Sequence, residues 1–171
     1  MLFRSPIRKG ATWNDIFRLF YFITLLKYSK QSHLKQTFKT ANKVATKDKL
    51  NFLDEKDYIN IRDDIITSTK KTIEVLKKVK IGNRFIDTDL LPKKSKGYGN
   101  INELNNTDVF IQAINLDDYY NLLFPNFDYL IPDALLIRKR NNQYKLEFLE
   151  IEASKSGWNN WLEHKHENYL R

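Results

Sequence analysis

Asp133, Glu150, Glu152 and Lys165 are the residues of this sequence whose types and spacing could do chemistry. Asp133 opens one apolar run, Glu150 and Glu152 lie two apart at the end of the next, and Lys165 follows in an aromatic-rich segment. Three carboxylates gathered at one place repel one another unless a cation, a proton or a basic side chain offsets them. Oxygen-only donors of this kind suit Mg²⁺ or Mn²⁺. The absence of cysteine argues against a thiolate zinc site.

The elements that must position these groups are two strands and a helix. Residues 134 to 140 and 144 to 151 are short runs rich in aliphatic and aromatic side chains, and Asn141-Asn142-Gln143 between them reads as a tight hairpin turn. With the turn centred near Asn142, antiparallel pairing sets Asp133 opposite residue 150 or 151. Side chains alternate at period two, so Glu150 and Glu152 share a face. Beyond the second strand, Ser154 or Ser156 caps a predicted helix. Its residues Trp158, Trp161, Leu162, Lys165 and Tyr169 recur at spacings of three and four. Lys165 falls in the middle of that stripe, so it is expected to run along apolar neighbours toward the hairpin carboxylates. His164 and His166 fall to either side.

The order Pro132-Asp133 followed by Glu150-x-Glu152 resembles the PD-(D/E)xK nuclease superfamily, whose restriction-enzyme-like core binds a divalent metal and cleaves phosphodiesters. The resemblance implies that Asp133 and Glu150 hold Mg²⁺ or Mn²⁺, with Glu152 a further ligand or a water-orienting group. Glu152 stands where the motif has its lysine. Some branches move the basic residue to the following helix, which Lys165 fits, and Lys155 is a second candidate. The segment EIEASK through WLEHKHENYL is similar to the replication-relaxation group of plasmids and bacteria, in which a winged-helix region precedes such a core. Together these cover roughly the last quarter of the chain. They also imply a helix ahead of the hairpin that donates an acidic residue, for which Glu103 and Asp108 are the candidates.

Charge divides the 171 residues unevenly. Residues 1 to 50 hold eleven lysines and arginines against Asp15 and Asp48, whereas residues 101 to 171 hold seven basic and eleven acidic side chains. The formal charge of +8 is therefore largely a property of the N-terminal half, which should concentrate polyanions such as double-stranded DNA. The apolar run from 19 to 26 is too short to span a bilayer, and a cytoplasmic protein without a membrane partner is expected.

Thr12 with Asp15 reads as a capped start for a helix running to about Tyr28, apolar around much of its axis and so either a core helix or a homodimer contact. Ser32 begins a second helix. Val44, Leu50, Leu53, Tyr58 and Ile59 then look like the third helix and first wing strand of a winged helix, though a helical bundle with one lysine-rich face makes the same pattern. Lys35, Lys39, Lys43, Lys47 and Lys49 are available there for phosphates. Residues 61 to 80 read as one more helix, with Ile65, Ile66, Ile73, Leu76 and Val79 inward and Lys70, Lys71, Lys77 and Lys78 outward.

The stretch 92 to 100 reads as a linker, or as a loop carrying Lys93, Lys94 and Lys96 across DNA. Beyond it, Asn106 or Thr107 caps a helix to Ile114, residues 116 to 124 add a further turn or two, and 127 to 131 form an edge strand. The expected fold is α+β: a basic helical or winged-helix region over 1 to 91, then a core over 101 to 171 whose mixed sheet carries the metal-site hairpin between helices. The function this implies is DNA binding with a metal-dependent endonuclease-like phosphodiesterase. The alternatives are an inactive DNA-binding accessory of plasmid, phage or mobile-element DNA, and a protein-binding inhibitor with an exposed aromatic patch around Phe20 to Phe22. The signals for a P-loop, a dinucleotide fold, a zincin and a hydrolase elbow are absent from the sequence.

Overall fold

A computed structural model describes residues 12–81, 84–92, 101–124 and 132–151. The fold is α+β, with a helical N-terminal region and small antiparallel sheets. The chain forms two compact units, residues 1–116 and 117–171.

Unit 1 is built on helix α1 (Trp13–Leu26). Thr12 and Asp15 close the capping box the sequence predicts: Asp15 N–H donates to Thr12 Oγ1 at 3.2 Å, and Thr12 N–H donates to Asp15 Oδ2 at 3.0 Å. The Thr40 hydroxyl donates to the other Asp15 oxygen at 2.6 Å, tying the helix start to a residue 25 positions further on. Ile16, Leu19, Phe20, Ile23, Leu25 and Leu26 are buried, so apolar residues all round this helix make it the core of the unit. Phe20 stacks on Tyr58 and Phe22 on Phe38. Both phenylalanines are buried, so they form no aromatic surface for a protein partner.

The chain leaves α1 through Lys27, at φ 63°, and Ser29 exchanges both backbone hydrogen bonds with Ile66. Then come α2 (Gln31–Leu34), α3 (Ala41–Val44), α4 (Lys47–Glu55) and the strands β1 (Ile59–Arg62) and β2 (Ile65–Ser68). Helix α4 ends where Asp57, at φ 58°, turns the chain. Tyr58 N–H then donates back to Leu53 O and Asp57 N–H to Asp54 O, a Schellman motif with aspartate in glycine's usual place.

The single helix expected over 61 to 80 is instead a strand, a turn, a second strand and the short helix α5 (Lys70–Leu76). Asp63 and Asp64 both take positive φ, which makes the two-residue turn whose twist matches a hairpin. The β-branched run on either side then pairs, with Ile61 opposite Ile66. Ile59 and Ile66 thereby share the buried face. Lys70, Lys71, Lys77 and Lys78 are exposed as expected.

Two-residue strands β3 (Lys80–Ile81) and β4 (Arg84–Phe85) pair next, and a single 3-10 turn covers Thr88–Leu90. Helix α6 (Ile101–Ile114) starts before Asn106 and Thr107 rather than at them. Thr107 is buried inside the helix, its hydroxyl donating to Tyr28 O at 2.5 Å. That bond, with a His33–Asp108 contact at 3.2 Å, fastens α6 to the first unit although it follows the expected linker.

Unit 2 is a three-stranded meander of β5 (Tyr119–Leu123), β6 (Ala134–Arg140) and β7 (Gln143–Leu149), with β6 central. The extra helical turns expected over 116 to 124 are β5 instead, because Tyr119, Leu122 and Leu123 find β6 to pair with. The edge strand expected over 127 to 131 lies outside the described residues. No helix among the described residues is long and apolar enough to cross a membrane.

Candidate nucleic-acid interface and carboxylate pair

In unit 1, helix α4 buries Leu50 and Leu53 and turns Lys47, Asp48, Asn51 and Glu55 outward. The hairpin fixes its direction, since Ile61 N–H donates to Asp54 Oδ1 at 2.9 Å. Gln31 does the same from the other side, its amide nitrogen donating to Ala45 O at 2.8 Å. His33 Nδ1 accepts from Lys30 N–H at 3.1 Å, which leaves Nε2 as the nitrogen facing Asp108. Between the start of α2, α4 and the hairpin lies a depression of about 400 Å³ that Lys30, Ser32, Lys47, Asn51, Ile61 and Asp64 help to line.

Lys35, Lys39, Lys43 and Lys47 are exposed, at the end of α2, after it, on α3 and at the start of α4. Lys49 differs. It is buried, and its ammonium donates to the Lys43 carbonyl at 2.5 Å. Its spacing of four from Leu53 places it on the apolar stripe, a signal already present in the sequence. Lys30 and Asn51 at the depression are the residues that sequence reasoning missed. The hairpin tip between them carries Asp63 and Asp64, so the concave surface is basic on its helical side and acidic at the turn.

In unit 2, the Asn141-Asn142 turn has φ of 49° and 62°, and Ala134 pairs with Leu149. Extrapolated one step past its last pair, that ladder brings Asp133 level with Glu150, on the face that also carries Leu135, Ile137, Lys139, Tyr144, Leu146 and Phe148. Of the two registers left open by the sequence, the Ala134–Leu149 pair selects the one that puts Asp133 level with residue 150 rather than 151. Asp133 Oδ2 accepts from Ile151 N–H at 2.6 Å, so this carboxylate also holds the outgoing chain. The opposite face carries a charged lattice. Arg138 Nε lies 2.8 Å from Asp118 Oδ1 and its Nη1 3.4 Å from Glu147 Oε1, which Lys145 reaches at 2.5 Å. The Arg138 hydrogen bond holds the Asp118 carboxyl below its ordinary range, and the Lys145 hydrogen bond does the same for Glu147.

Glu152, Lys155, Lys165, Lys93, Lys94, Lys96 and the side chain of Glu103 lie outside the described residues. Asp108 belongs to unit 1 and faces His33. Among the described residues no three histidine, aspartate or glutamate side chains converge on one point. Asp133 and Glu150 are two oxygen donors of the kind Mg²⁺ accepts, and Glu152 is the third that the sequence offers. No family model, no curated protein and no solved structure matches the chain.

Proposed function

We propose that the chain is a double-stranded-DNA-binding protein whose unit 1 is a winged-helix module and whose unit 2 carries a Mg²⁺- or Mn²⁺-dependent phosphodiesterase site. One observation carries the first part: the order helix, Ser29 pairing, helices, hairpin, with Ser29 bonded to the second hairpin strand. In such modules the helix before the hairpin enters the major groove and neighbouring cations hold phosphates, an inference from architecture. Here α4 presents Lys47 and Asn51, with Lys30, Lys35, Lys39 and Lys43 exposed on the preceding segments. The carboxylates of Asp63 and Asp64 repel phosphates, so the helical side leads the approach and the turn stays back from the backbone.

The second part is supported by the register of β6 and β7, whose Ala134–Leu149 pair leaves Asp133 and Glu150 as the next residues on the two strands. These two residues would hold the ion, with Glu152 as a further ligand or a water-orienting group. A divalent ion so held lowers the pKa of a bound water for attack on phosphorus. Lys165, or Lys155, would offset the charge that grows on the phosphate oxygens.

One experiment tests both parts. Calorimetric titration of Mn²⁺ into the protein and into Asp133→Ala is followed by a labelled duplex, read for binding and for cutting. Binding by the wild type is expected to weaken in Lys47→Ala with the salt slope lower by about 1. Metal binding lost in Asp133→Ala together with metal-dependent cutting supports the nuclease site. Duplex binding without metal binding would sink the catalytic part and leave a DNA-binding accessory protein.

A further inference from the structure

The hairpin of unit 2 has two chemically opposite ends. Asp133 and Glu150 lie just beyond the last ladder pair at one. At the other, residues 138 to 146 supply Arg138, Lys139, Arg140 and Lys145 and no acidic side chain. The carboxylates that reach this end are Asp118 and Glu147, and Arg138 engages both. Those contacts hold its guanidinium in place. Arg140 is exposed and forms no salt bridge among the described residues, though its charge lies close enough to Asp118 to favour that carboxylate. Lys145 keeps 70% of its side chain exposed while touching Glu147.

The register fixes how these groups are arranged. Arg138 pairs with Lys145 and Arg140 with Gln143, so the four positions form a rectangle on one face of the hairpin. Its edge along the strand is two residues, about 6.8 Å. A depression of about 430 Å³ opens over it, lined by Asp118, Arg138, Arg140, Gln143, Tyr144 and Lys145. Behind it Lys139 lies 5.0 Å from the centre of the Tyr144 ring and 5.7 Å from that of Tyr120, so a fourth cation stays at this end on the reverse face. Cations at strand spacing, with the amides of Asn142 and Gln143 beside them, match an anion whose charges repeat along a line. That description fits a phosphodiester backbone better than a single phosphate or a carboxylate.

We propose that this end of the hairpin is a second backbone contact, in which Arg140 and Lys145 bind neighbouring phosphates of the DNA on the face of the sheet opposite to the one that carries Asp133 and Glu150. Arg138 acts as a positioning residue, held by Asp118 and Glu147 so that the face stays formed. The inference rests on the DNA-binding reading and adds to it a site that none of the lysines expected from the sequence includes.

The test uses the full chain and fluorescence anisotropy of a labelled duplex between about 50 and 200 mM salt. Arg140→Ala with Lys145→Ala is expected to lower the slope of log affinity against log salt by about 2 and to weaken binding about tenfold. Both side chains are exposed, and an unchanged far-UV circular dichroism spectrum checks that the unit stays folded. Lys70→Ala with Lys78→Ala removes the same charge from α5 and the turn after it and is expected to change the slope less. An unchanged slope in the hairpin variant, while Lys47→Ala still weakens binding, overturns this inference alone. Equal losses in the hairpin and α5 variants also overturn it, because net charge would then explain both. No duplex binding by the wild type overturns the DNA-binding reading and this one with it. If a polyglutamate peptide displaces the duplex from the wild type but not from the hairpin variant, the ligand is an acidic peptide and the nucleic-acid assignment fails.

Discussion

The two longer hairpins of this protein share a turn and differ in almost everything the turn carries. Asp63-Asp64 and Asn141-Asn142 both take positive φ at two consecutive residues, the geometry that suits the twist of paired strands. In unit 1 the strands are four residues each and bury Ile59 and Ile66. In unit 2 they are seven residues each, and β7 leaves Tyr144, Leu146 and Phe148 at 54%, 62% and 45% exposure. The first tip is acidic and the second is flanked by Lys139, Arg140 and Lys145. Backbone geometry is thus the same solution used twice, and the side chains decide the role. One hairpin orients α4, and the other displays charge at its end and apolar side chains along one strand.

Removing one buried and one exposed side chain should separate the two most strongly. Ile66→Ala deletes atoms from a site 2% exposed and is expected to cost about 2–5 kcal/mol, read from urea unfolding with amide exchange followed in each hairpin. Leu146→Ala removes a side chain from a site 62% exposed and should change stability by no more than about 0.5 kcal/mol. A Leu146→Ala cost as large as that of Ile66→Ala would mean that the β7 face is covered in solution, and the contrast between the hairpins would fail.

Acid should affect both units, through different groups. Burial pushes the Asp15 carboxyl up, but the Thr40 and Thr12 hydrogen bonds and the Arg18 charge outweigh it and leave it below its ordinary value. Asp118 and Glu147 are lowered by the Arg138 and Lys145 hydrogen bonds. A lowered carboxyl contributes stability that is fully present above its unfolded value, about 4, and is lost as pH falls through the folded one. Stability of both units should therefore fall below about pH 4. Asp15→Asn should flatten that fall in unit 1 and cost about 1 kcal/mol at neutral pH through the lost capping box. Asp118→Asn should have a smaller effect in unit 2, and one that salt weakens. Equal effects of salt on both variants would contradict the assignment of Asp15 to a buried hydrogen-bonded site.

What could be read from the sequence follows the same division. Asn141-Asn142 between two apolar runs carries a turn signal, so the β6–β7 hairpin is legible, with the choice between residues 150 and 151 opposite Asp133 left to the backbone. Asp63-Asp64 lacks asparagine or glycine, and Ile61, Ile65, Ile66, Ile73 and Leu76 satisfy a helical period well enough to hide the turn. The stretch before β6 was hidden for a related reason. Tyr119, Leu122 and Leu123 suit either a short helix or an edge strand, and only a partner elsewhere in the chain decides between them. Lys49 shows the opposite failure. Its spacing from Leu53 was informative, but a lysine was assumed to point outward, whereas here its ammonium finds the Lys43 carbonyl inside the unit.

The smallest expected effect concerns the turns themselves. A two-residue turn of this type favours glycine at its second position because a side chain there costs energy at positive φ. Asp64→Gly removes that cost, together with the repulsion between Asp63 and Asp64, and should stabilise unit 1 by about 0.5–1 kcal/mol. Asn142→Gly should gain only a few tenths of that, because asparagine tolerates the left-handed region well and glycine adds freedom to the unfolded chain. Amide exchange at β1–β2 and β6–β7 in the two variants measures the difference. A loss of protection in Asp64→Gly would show that the Asp64 carboxylate itself holds the turn. The acidic tip would then be part of how the first hairpin folds, whereas the basic end of the second remains available to a ligand.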